Sequence, residues 1–546
     1  MAKLNKNRIV FDQDDWMAGM NPQFVTGLTD VPAAQYGNGL SSAIRFNPFR
    51  WLGYASPGFS PTDVANVSVV TTVLRNIAMS SESSTNYGYL ISSGALLHRL
   101  DVTNKSLSNA GSWPHTIAVT GAITGSDVVA YTSNVASTKT PCVYYSFNDA
   151  GGTWNIGRFI TASGAFDDDF MSTIPATPLV PAGNNKPHPM IIGADDNLYV
   201  GDGNLLHSYD GATGADGTFS ASVLTLPAGY IITSFARISQ PVPFLVIFAY
   251  YSPSGNSTTI NTTVSGRAQA FFYDYLSLDP TYIIDLNDRS VSAAFEWRGT
   301  IGCFTQGNNL ANDGSNRFSR LKIWNGSIFE TAASFIANDP VHGGVDVVGD
   351  SIQWNAWDGS AFNIYSYGAP FDGVKAGLNK IGAGSGTVST NTGVLRTIGG
   401  STGFQLISTG TTTSGGLQYM KVGTYAPNAS ISSICVAPEF NPGMKGKAKS
   451  VRVDFAKTSA STGGQLSLFL LYENSQTSQI LSSLAEVTIS NISKEYYTTI
   501  ANVDGDLPAF IEMRIVMQWA GGALDTDAPV VRRVTVNYEE VNQENT

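Results

Sequence analysis

Short hydrophobic runs alternate along the chain with segments rich in Gly, Ser, Thr and Asn. The longest runs, at residues 244–251 and 466–472, have the length of a β-strand and fall far short of the ~18 apolar residues that span a bilayer. Val, Ile, Tyr, Phe and Thr dominate these runs, and Gly-rich turns separate them, which is typical of strands joined by tight turns. The pattern therefore predicts an all-β protein.

One pair of segments repeats: GALLHRLD at residues 94–101 matches GNLLHSYD at residues 203–210, and each follows an apolar strand and a short turn. Weaker copies of its second strand begin near Leu97, Val143, Leu206, Phe271, Leu321, Ile364 and Tyr419. Their spacing of roughly 50–55 residues is slightly longer than a four-stranded propeller blade needs. The repeat predicts a β-propeller of about seven irregular blades, although six or eight blades fit the same spacing.

The sequence FNDAGGTW at residues 147–154 resembles the Asp-box of sialidase-like propellers, Ser-x-Asp-x-Gly-x-Thr-Trp, with Phe147 in place of the leading Ser. In that motif the Asp carboxylate caps backbone N–H groups of a hairpin turn, Gly supplies backbone freedom and Trp packs between blades. We expect a turn between the outer strands of a blade here. The motif supports a propeller and carries no chemistry of its own.

The pattern divides the chain into three parts. From residue 431 the apolar alternation becomes longer, and six or more predicted strands in the last ~110 residues indicate an antiparallel β-sandwich at residues 431–546. The propeller is predicted at residues 45–430. Residues 1–44 show no clear period and contain the polar stretch FDQDDW, so we expect an extended N-terminal arm that lies on a neighbour or helps to close the ring.

Charge and cysteine content narrow the classes of function. Charged residues make up 13% of the chain and the formal net charge is −11, whereas a broad phosphate-binding surface needs clustered Lys and Arg. Arg532 and Arg533 stand within an apolar alternation and are expected on the solvent face of a strand. Cys142, Cys303 and Cys435 lie far apart in the sequence, which predicts free, buried thiols. The first residues lack the apolar core of a signal peptide, so we expect synthesis in a cytoplasm without one.

Clustered carboxylates are the candidates for catalysis and metal binding. Asp167, Asp168 and Asp169 could perform acid–base chemistry if burial separated their pKa values, but adjacent Asp residues among Gly and Ser are more often a solvated loop. Two oxygen-rich segments have the character of calcium loops without EF-hand or RTX spacing, and turn chemistry is their simpler interpretation. They consist of Asp195, Asp196, Asn197 and Asp202, and of Asp285, Asn287 and Asp288.

Other motifs of enzymes are weak or missing. His98 and His207 occupy equivalent repeat positions, which indicates a shared packing role rather than a common metal. His-Glu-x-x-His and Walker-type sequences are absent, and the glycines at 382–386 and 399–400 lack the helix of a phosphate loop. A sialidase would also need an arginine triad and a Tyr–Glu pair. We therefore predict no enzyme, no cofactor, and no catalytic, cofactor-binding or metal-binding residue.

Four segments resemble virion proteins of tailed bacteriophages, in particular the propeller-bearing tail nozzle and tail-tip proteins. RIVFD at residues 8–12, WMAGMN at 16–21 and LGYASPG at 52–58 look like the start of such proteins. DAPVVRRVTVNY at residues 527–538 looks like the last strand of a phage tail sandwich domain. The resemblance implies several copies in a ring around the DNA exit channel. It also implies contacts with adaptor or tube proteins, with fibres or tip proteins, and passively with exiting DNA.

These features favour a non-enzymatic structural component of a bacteriophage particle, located in the virion tail and not inserted in a membrane. The expected partners are copies of the chain, in a homo-oligomeric ring, and other virion tail proteins. Two alternatives stay open. A carbohydrate- or receptor-binding module of a tail fibre would cluster aromatic side chains on one face. A sialidase-like glycosidase would bring carboxyl groups to within ~5–10 Å at the central channel.

Overall fold

The protein is all-β in the computed structural model, apart from short 3-10 turns such as Val67–Val69 and His342–Gly344. The structure describes residues 8–13, 40–44, 61–82, 84–94, 96–118, 123–149, 156–170, 187–239, 242–252, 267–306, 318–357, 362–368, 376–383, 393–399, 404–408, 416–421, 430–433, 444–457, 465–472, 487–490, 495–499, 513–520 and 530–542.

Seven antiparallel sheets form the repeating part of the chain. Three strands precede them: β1 (Arg8–Gln13), β2 (Leu40–Ile44) and β3 (Pro61–Asp63). Blade 1 contains β4 (Leu74–Glu82), β5 (Thr85–Ser92), β6 (Leu96–Asp101), β7 (Ser106–Leu107) and β8 (His115–Thr116). Blade 2 contains β9 (Ile123–Val135), β10 (Thr138–Asp149), β11 (Ile156–Ile160) and β12 (Ala165–Asp167). Blade 3 contains β13 (Met190–Ile192), β14 (Leu198–Asp202), β15 (Leu205–Asp210) and β16 (Thr218–Thr225).

Blades 4 to 7 follow the same plan. Blade 4 contains β17 (Tyr230–Ile238), β18 (Phe244–Tyr251), β19 (Ala268–Tyr273) and β20 (Tyr282–Asp285), and blade 5 contains β21 (Ser290–Trp297), β22 (Thr300–Gln306), β23 (Phe318–Trp324) and β24 (Phe329–Ile336). Blade 6 contains β25 (Val345–Val348), β26 (Ser351–Trp357), β27 (Phe362–Gly368) and β28 (Gly377–Ala383). Blade 7 contains β29 (Leu395–Ile398), β30 (Phe404–Ile407) and β31 (Gln418–Lys421), together with β3.

This order of strands is that of a seven-bladed β-propeller. The first strands of successive blades contact one another and surround the axis, and the fourth strands lie at the rim. The seventh blade takes β3, from the N-terminal side, as its last strand. Val64 donates its backbone N–H to the Leu417 carbonyl at 3.1 Å, and the Gln418 amide donates to Asp63 at 2.8 Å. The blade number predicted from the repeat is thus confirmed.

The repeat copies mark the third strand of the blade in six of seven cases. Leu97 and Leu206 lie in β6 and β15, so the pair of matching segments occupies equivalent places in blades 1 and 3. Val143 is the exception, because it lies in β10, the second strand of blade 2. The long hairpin formed by β9 and β10 carries more apolar residues than the short β11. The repeat search therefore assigned the copy in blade 2 to β10 instead of to the third strand, β11.

The Asp-box prediction was wrong about its place. Its first residues end β10, and β11 begins at Ile156, so the motif joins the second and third strands of blade 2 rather than the outer pair. Phe147 is fully buried and packs against Tyr145 with 6.4 Å between ring centroids. Residues 150–155 of the motif lie outside the described residues.

Aromatic side chains fill the spaces between blades. Between blades 1 and 2, Tyr89 lies 5.8 Å from Trp113 and 5.4 Å from Phe159 between ring centroids. Cys142 and Cys303 are fully buried, as predicted. Cys435 lies outside the described residues. The core is therefore a series of interblade layers, each made from two neighbouring sheets.

Two further sheets contain strands from both ends of the chain. Their strands are β1, β2, β32 (Ser430–Ser433), β33 (Met444–Lys457), β34 (Gln465–Tyr472), β35 (Val487–Ser490), β36 (Glu495–Thr499), β37 (Met513–Ala520) and β38 (Val530–Asn542). One sheet has the order β1-β38-β33-β36 and the other β2-β32-β37-β34-β35. Two segments of the predicted N-terminal arm are thus strands, with Ile9 opposite Tyr538 and Ile44 opposite Ser430.

The chain divides into two compact units. One contains Thr62–Asn363 and Gly384–Tyr419, and the other contains Met1–Pro61, Ile364–Ala383 and Met420–Thr546. The boundaries predicted from the sequence, near residues 45 and 431, stay predictions. Within the described ranges, no helix has both the length and the hydrophobicity that crossing a membrane requires.

Candidate functional site

The axis of the propeller carries a buried carboxylate that ties four blades together. Asp127, in β9, accepts hydrogen bonds from the backbone N–H groups of Val128 and Met190, at 2.8 and 2.7 Å, and from the Asn76 amide. The His342 imidazole, from the turn that precedes β25, lies 3.5 Å from the same carboxylate. These residues belong to blades 1, 2, 3 and 6, so they meet where the innermost strands converge.

Glycines let the His342–Gly344 turn enter this narrow space. A Cβ atom on Gly343 would stand 2.3 Å from the Arg75 carbonyl oxygen and 2.7 Å from the Cα of Asn76. A Cβ on Gly344 would stand 2.8 Å from the Gly393 carbonyl oxygen. The turn therefore packs directly on the backbone of blades 1 and 7 and reaches Asp127 of blade 2, and we call it the plug. The sequence signal was the Gly-Gly pair before a strand, and it was missed.

A second buried group lies in blade 3. Asp202 is fully buried, with His188 Nδ1 at 3.8 Å and His207 Nε2 at 3.9 Å. Hydrogen bonds fix both tautomers: His188 Nδ1 donates to the Gly201 carbonyl at 3.1 Å, whereas His207 Nδ1 accepts from the Ser222 N–H at 3.1 Å. His207 therefore carries its proton on Nε2, facing Asp202. Burial, and then the charge of His188, lower the pKa of His207 to about 4.

His98 and His207 are both buried at the same position of the third strand, in agreement with the predicted packing role. Their surroundings differ, because neither ring nitrogen of His98 has a hydrogen-bond partner. Burial lowers the pKa of His98 to about 4, so it remains neutral near pH 7. Equivalent sequence positions thus hold one histidine in a polar group and one in an apolar core.

The carboxylates of Asp167 and Asp168 form ion pairs and hydrogen bonds, so the solvated-loop interpretation was wrong for them. Asp168 accepts from Tyr145 and from the Ala118 N–H, and its two oxygens lie 2.9 and 3.1 Å from His115 Nε2. Burial alone would raise the pKa of Asp168, yet these hydrogen bonds bring it below its usual value. Asp167 lies 3.3 Å from buried Arg158.

The pKa values of this pair are separated, as acid–base chemistry would require. Burial raises the pKa of Asp167 to about 6, Asp169 adds to the rise and Arg158 opposes it. The carboxylates nevertheless serve as connectors, since His115 belongs to blade 1 and Asp168 follows the last strand of blade 2. Arg158 also reaches Asp216 of blade 3 at 3.3 Å. The arrangement cross-links three neighbouring blades.

The first calcium candidate is split by the fold. Asp195 accepts from the backbone and side-chain amides of Asn197, at 3.3 and 2.8 Å, and from the Tyr199 hydroxyl at 2.7 Å. These contacts build the turn before β14. Asp202 ends that strand, so about 13 Å of extended backbone, from Leu198 to Asp202, lies between the turn and Asp202. They do not converge on one ion.

The second calcium candidate already holds cationic side chains. Arg320 donates to Asp288 at 2.6 Å, Lys322 Nζ lies 3.2 Å from it and Thr305 donates to it at 2.6 Å. Asp285 pairs with Arg267 at 2.6 Å. No group of three or more metal-ligating side chains comes together among the residues that the structure describes.

A Tyr–Glu pair of the kind that a sialidase uses does occur, in blade 1. Tyr89 donates to Glu82, which also accepts from Arg99 at 2.8 Å. Tyr89 is 0% exposed, and burial together with Glu82 raises its pKa. A buried, protonated phenol that packs between two blades cannot attack a substrate. The pair is part of the interblade core.

The outer part of blade 4 presents four exposed large apolar side chains, which include the three most exposed of the described residues. Leu276 and Leu278 are 89% and 79% exposed, and Tyr282 and Ile283 are 58% and 52% exposed. We call these four residues the blade-4 rim patch. The hydrophobic pattern could not single them out, because buried and exposed runs look alike in a sequence.

No protein-family model matches the chain, and no curated protein matches it. Among solved structures, the chain is similar to the Dos1 propeller, with 8% identity over 66% of this chain and 94% of that one and a TM-score of 0.39. It is also similar to Raptor of Chaetomium thermophilum, with 10% identity over 68% of this chain and 30% of that one and a TM-score of 0.39. The PQQ-bound aldose sugar dehydrogenase of Streptomyces coelicolor has 12% identity over 67% of this chain and 99% of its own, with a TM-score of 0.33. Similarities this low say nothing about what the chain binds.

Proposed function

We propose that the chain is a non-enzymatic structural component of a bacteriophage particle, a tail nozzle or tail-tip protein that forms a ring with its own copies. The blade-4 rim patch carries the proposal, because four large apolar side chains are exposed within residues 276–283, with Tyr282 and Ile283 on opposite faces of β20. Exposed large apolar side chains in one region of a surface are typical of a protein–protein contact. A particle held together by large interfaces needs such surface on each subunit.

The carboxylates support a structural role. Asp127, Asp168 and Asp288 are each held by three or more donors or cations from neighbouring strands or blades. A general acid or base has to reach the substrate proton that it transfers. These three groups are instead directed at protein partners and stabilise the contacts between sheets.

The plug on the axis bears on how such a ring would be built. The His342–Gly344 turn reaches from blade 6 to Asn76 of blade 1 and Asp127 of blade 2, where the innermost strands converge. We infer that DNA would pass between copies of the chain and not along the axis of a propeller. The acidic net charge of −11 suits a wall along which DNA slides without binding.

We also infer that the two sheets built from both chain ends pack as a β-sandwich. In β38, Val534, Val536 and Tyr538 are buried in alternation, while Arg532 and Arg533 are exposed as the sequence predicted. In β37, Met517 and Trp519 are buried on either side of exposed Gln518. Alternation of this kind is typical of sheets that cover a core with one face.

A carbohydrate- or receptor-binding module is the second candidate, and Tyr282 favours it. Its exposed ring lies 5.9 Å from Phe244 and 6.2 Å from Phe272 between centroids, so a supported aromatic surface faces solvent. Tyrosine combines such a surface with a polar hydroxyl. Leu276 and Leu278, however, offer no hydrogen bonds to sugar hydroxyls, and a protein partner suits this surface better.

The test is to look for the chain in purified particles encoded by the same genome. We expect mass spectrometry to detect it in stoichiometric amounts, and gold-labelled antibody against it to mark the tail in negative-stain images. Absence of the chain from intact particles would overturn the proposal. Binding to a glycan array that Tyr282→Ala abolishes, by a chain missing from particles, would establish the second candidate instead.

A further inference from the structure

The rim strand of blade 4, β20, pairs on one side only, as far as the described residues show, so its outer edge is open. It pairs with β19 on one side, with Ile283 opposite Phe271, and it is the last strand of its sheet. Leu286 donates its N–H to the Ala268 carbonyl at 3.0 Å, which identifies one hydrogen-bonded pair of this ladder. Because such pairs alternate along antiparallel strands, the backbone groups of Ile283 face outward. They can pair with another strand.

The other rim strands lack this combination of an open edge and apolar side chains. β3, β7 and β12 have only two or three residues each. β16 exposes Ser220, and β24 exposes Glu330 and Thr331, whereas Leu378 and Ile381 of β28 are buried. Short strands and polar side chains are the usual protection of a sheet edge against pairing. β20 instead exposes Tyr282 and Ile283.

The neighbouring loop holds its two leucines in place. Asp274 accepts from the backbone N–H groups of Leu276 and Ser277, at 3.0 and 2.7 Å, and from the Ser277 hydroxyl at 2.7 Å. These hydrogen bonds lower the pKa of Asp274 to about 2, so the turn persists over the physiological pH range. Leu276 and Leu278 are thus presented by a built turn. A preorganised surface loses less entropy on binding.

The residues of β20 are complementary to themselves in the antiparallel direction. A two-fold axis at Ile283 would place Ile283 opposite its own copy and Tyr282 opposite Ile284, which joins apolar side chains. It would also place Asp285 opposite Thr281, the residue before β20, so that no two carboxylates face each other. Asp285 already pairs with Arg267 of its own chain, so the two copies do not bring unpaired like charges together.

We propose that β20 is the contact through which two copies of the chain pair, edge to edge, forming one continuous sheet from two blades. The contact is isologous and joins copies two at a time. A ring would therefore need a second, different contact. The pairing rests on the proposed function in one respect, since both require copies of the chain to associate.

The first test compares Ile283→Lys with Ser220→Lys, the matched change on the rim strand of blade 3. Light scattering of the full chain should show mass rising with concentration from 58.0 kDa towards its double. Ile283→Lys should weaken this association at least about tenfold, because a lysine at a strand edge blocks pairing, whereas Ser220→Lys should leave it unchanged. Equal association by the Ile283→Lys chain, or a wild-type chain that is monomeric throughout, overturns the pairing.

The second test does not depend on the stability of a charged variant. Paired residues on the two-fold axis have Cα atoms about 5.5 Å apart, which lies within the range of a disulfide. Mild oxidation should convert the Ile283→Cys chain into a covalent dimer, while Ser220→Cys stays monomeric. Equal cross-linking of both variants, or of neither, argues against the contact.

The outcomes separate this contact from the proposed function. If the chain is found in particles but Ile283→Lys has no effect on self-association, the virion role stands and the β20 contact is wrong. If Ile283→Lys abolishes pairing but the chain is absent from particles, the contact stands and the virion role is wrong. Glycan binding through Tyr282, with self-association unaffected by Ile283→Lys, also overturns the contact.

Discussion

His98 and His207 are buried and neutral near pH 7. Burial lowers the pKa of His98 and of His207 to about 4, against about 6.5 in an unfolded chain. Between these values the unfolded chain binds protons that the folded chain does not. The free energy of unfolding therefore falls as the pH drops from about 6.5 to 4, by at most about 3 kcal/mol for each histidine.

His98→Leu should remove one of these two contributions. Since neither ring nitrogen of His98 is hydrogen-bonded, leucine sacrifices no polar contact. Urea unfolding at pH 7 and pH 5 should show that the variant loses about 2 kcal/mol less than the wild type on acidification. Between pH 7 and 8 the two chains should behave alike. Identical losses at pH 5 would show that His98 titrates normally in the folded state.

Gly343→Ala tests the plug on the axis. The added Cβ would stand 2.3 Å from the Arg75 carbonyl oxygen, so the turn or the inner strand has to move. We expect a loss of about 1–3 kcal/mol in the free energy of unfolding, as in overpacked cores. Gly399→Ala is the control, because a Cβ there meets nothing within 4 Å. Equal stability of the two variants would mean that the turn does not press on β4.

For His98 and His207, the repeat predicted the position in the blade but not the hydrogen bonds or the tautomer of each ring. The repeat aligned the two, and both are buried. The tautomer of His207 depends on Ser222 and on Asp202, which come from other strands. A single side chain obtains its protonation state from neighbours that pairing brings to it, and the local sequence does not contain that information.

Within one sheet, a single carboxylate connects several strands. Asp288 precedes β21 and binds Thr305 of β22 and both Arg320 and Lys322 of β23. Asp288 and Lys322 are almost wholly buried. The ion pairs are weak evidence of stability in themselves, but loss of one partner leaves a buried charge alone.

Asp288→Ala should therefore lower the free energy of unfolding by about 3–5 kcal/mol. The matched control is Asp350→Ala, which removes a half-exposed carboxylate 3.0 Å from Arg298 and should cost less than about 1 kcal/mol. Thermal and urea unfolding of both variants would measure the difference. Similar small losses in both would show that water reaches Lys322 in the folded chain.

At the scale of the element, the sequence predicted strands well and their place in a blade less well. Apolar runs such as residues 244–251 match β18, and six repeat copies fall on third strands. Third strands are flanked on both sides, so they keep an apolar pattern whatever loops surround them. Blade 2 departs because its first two strands are the long ones. The exposed edge of β20 had no signal, since exposure depends on the absence of a neighbouring strand.

At the scale of the whole molecule, spacing predicted seven blades because each blade repeats one unit of length. It did not predict which strand closes the ring. β3 is three residues long and polar, and hydrogen bonds from Val64 to Leu417 and from Gln418 to Asp63 join it to blade 7. The Gly-Gly pair at residues 343–344 marked a turn, but the sequence did not show that this turn of blade 6 reaches across to blades 1 and 2. Contacts between distant segments obey geometry that no local pattern records.

Because β3 completes blade 7, the ring can close only late in synthesis of the chain. Asp63 and Gln418 stand 355 residues apart in the sequence, so at 5–20 residues per second the ribosome delivers the second roughly 20–70 s after the first. Throughout that interval blade 7 does not exist and β3 has nothing to pair with. The six blades between them can form one after another, each on the edge of the last. The propeller closes only when β31 pairs with β3 in the last step. Until then blade 7 is incomplete and the edges of the growing propeller stay unpaired, so chaperones would have to shield them.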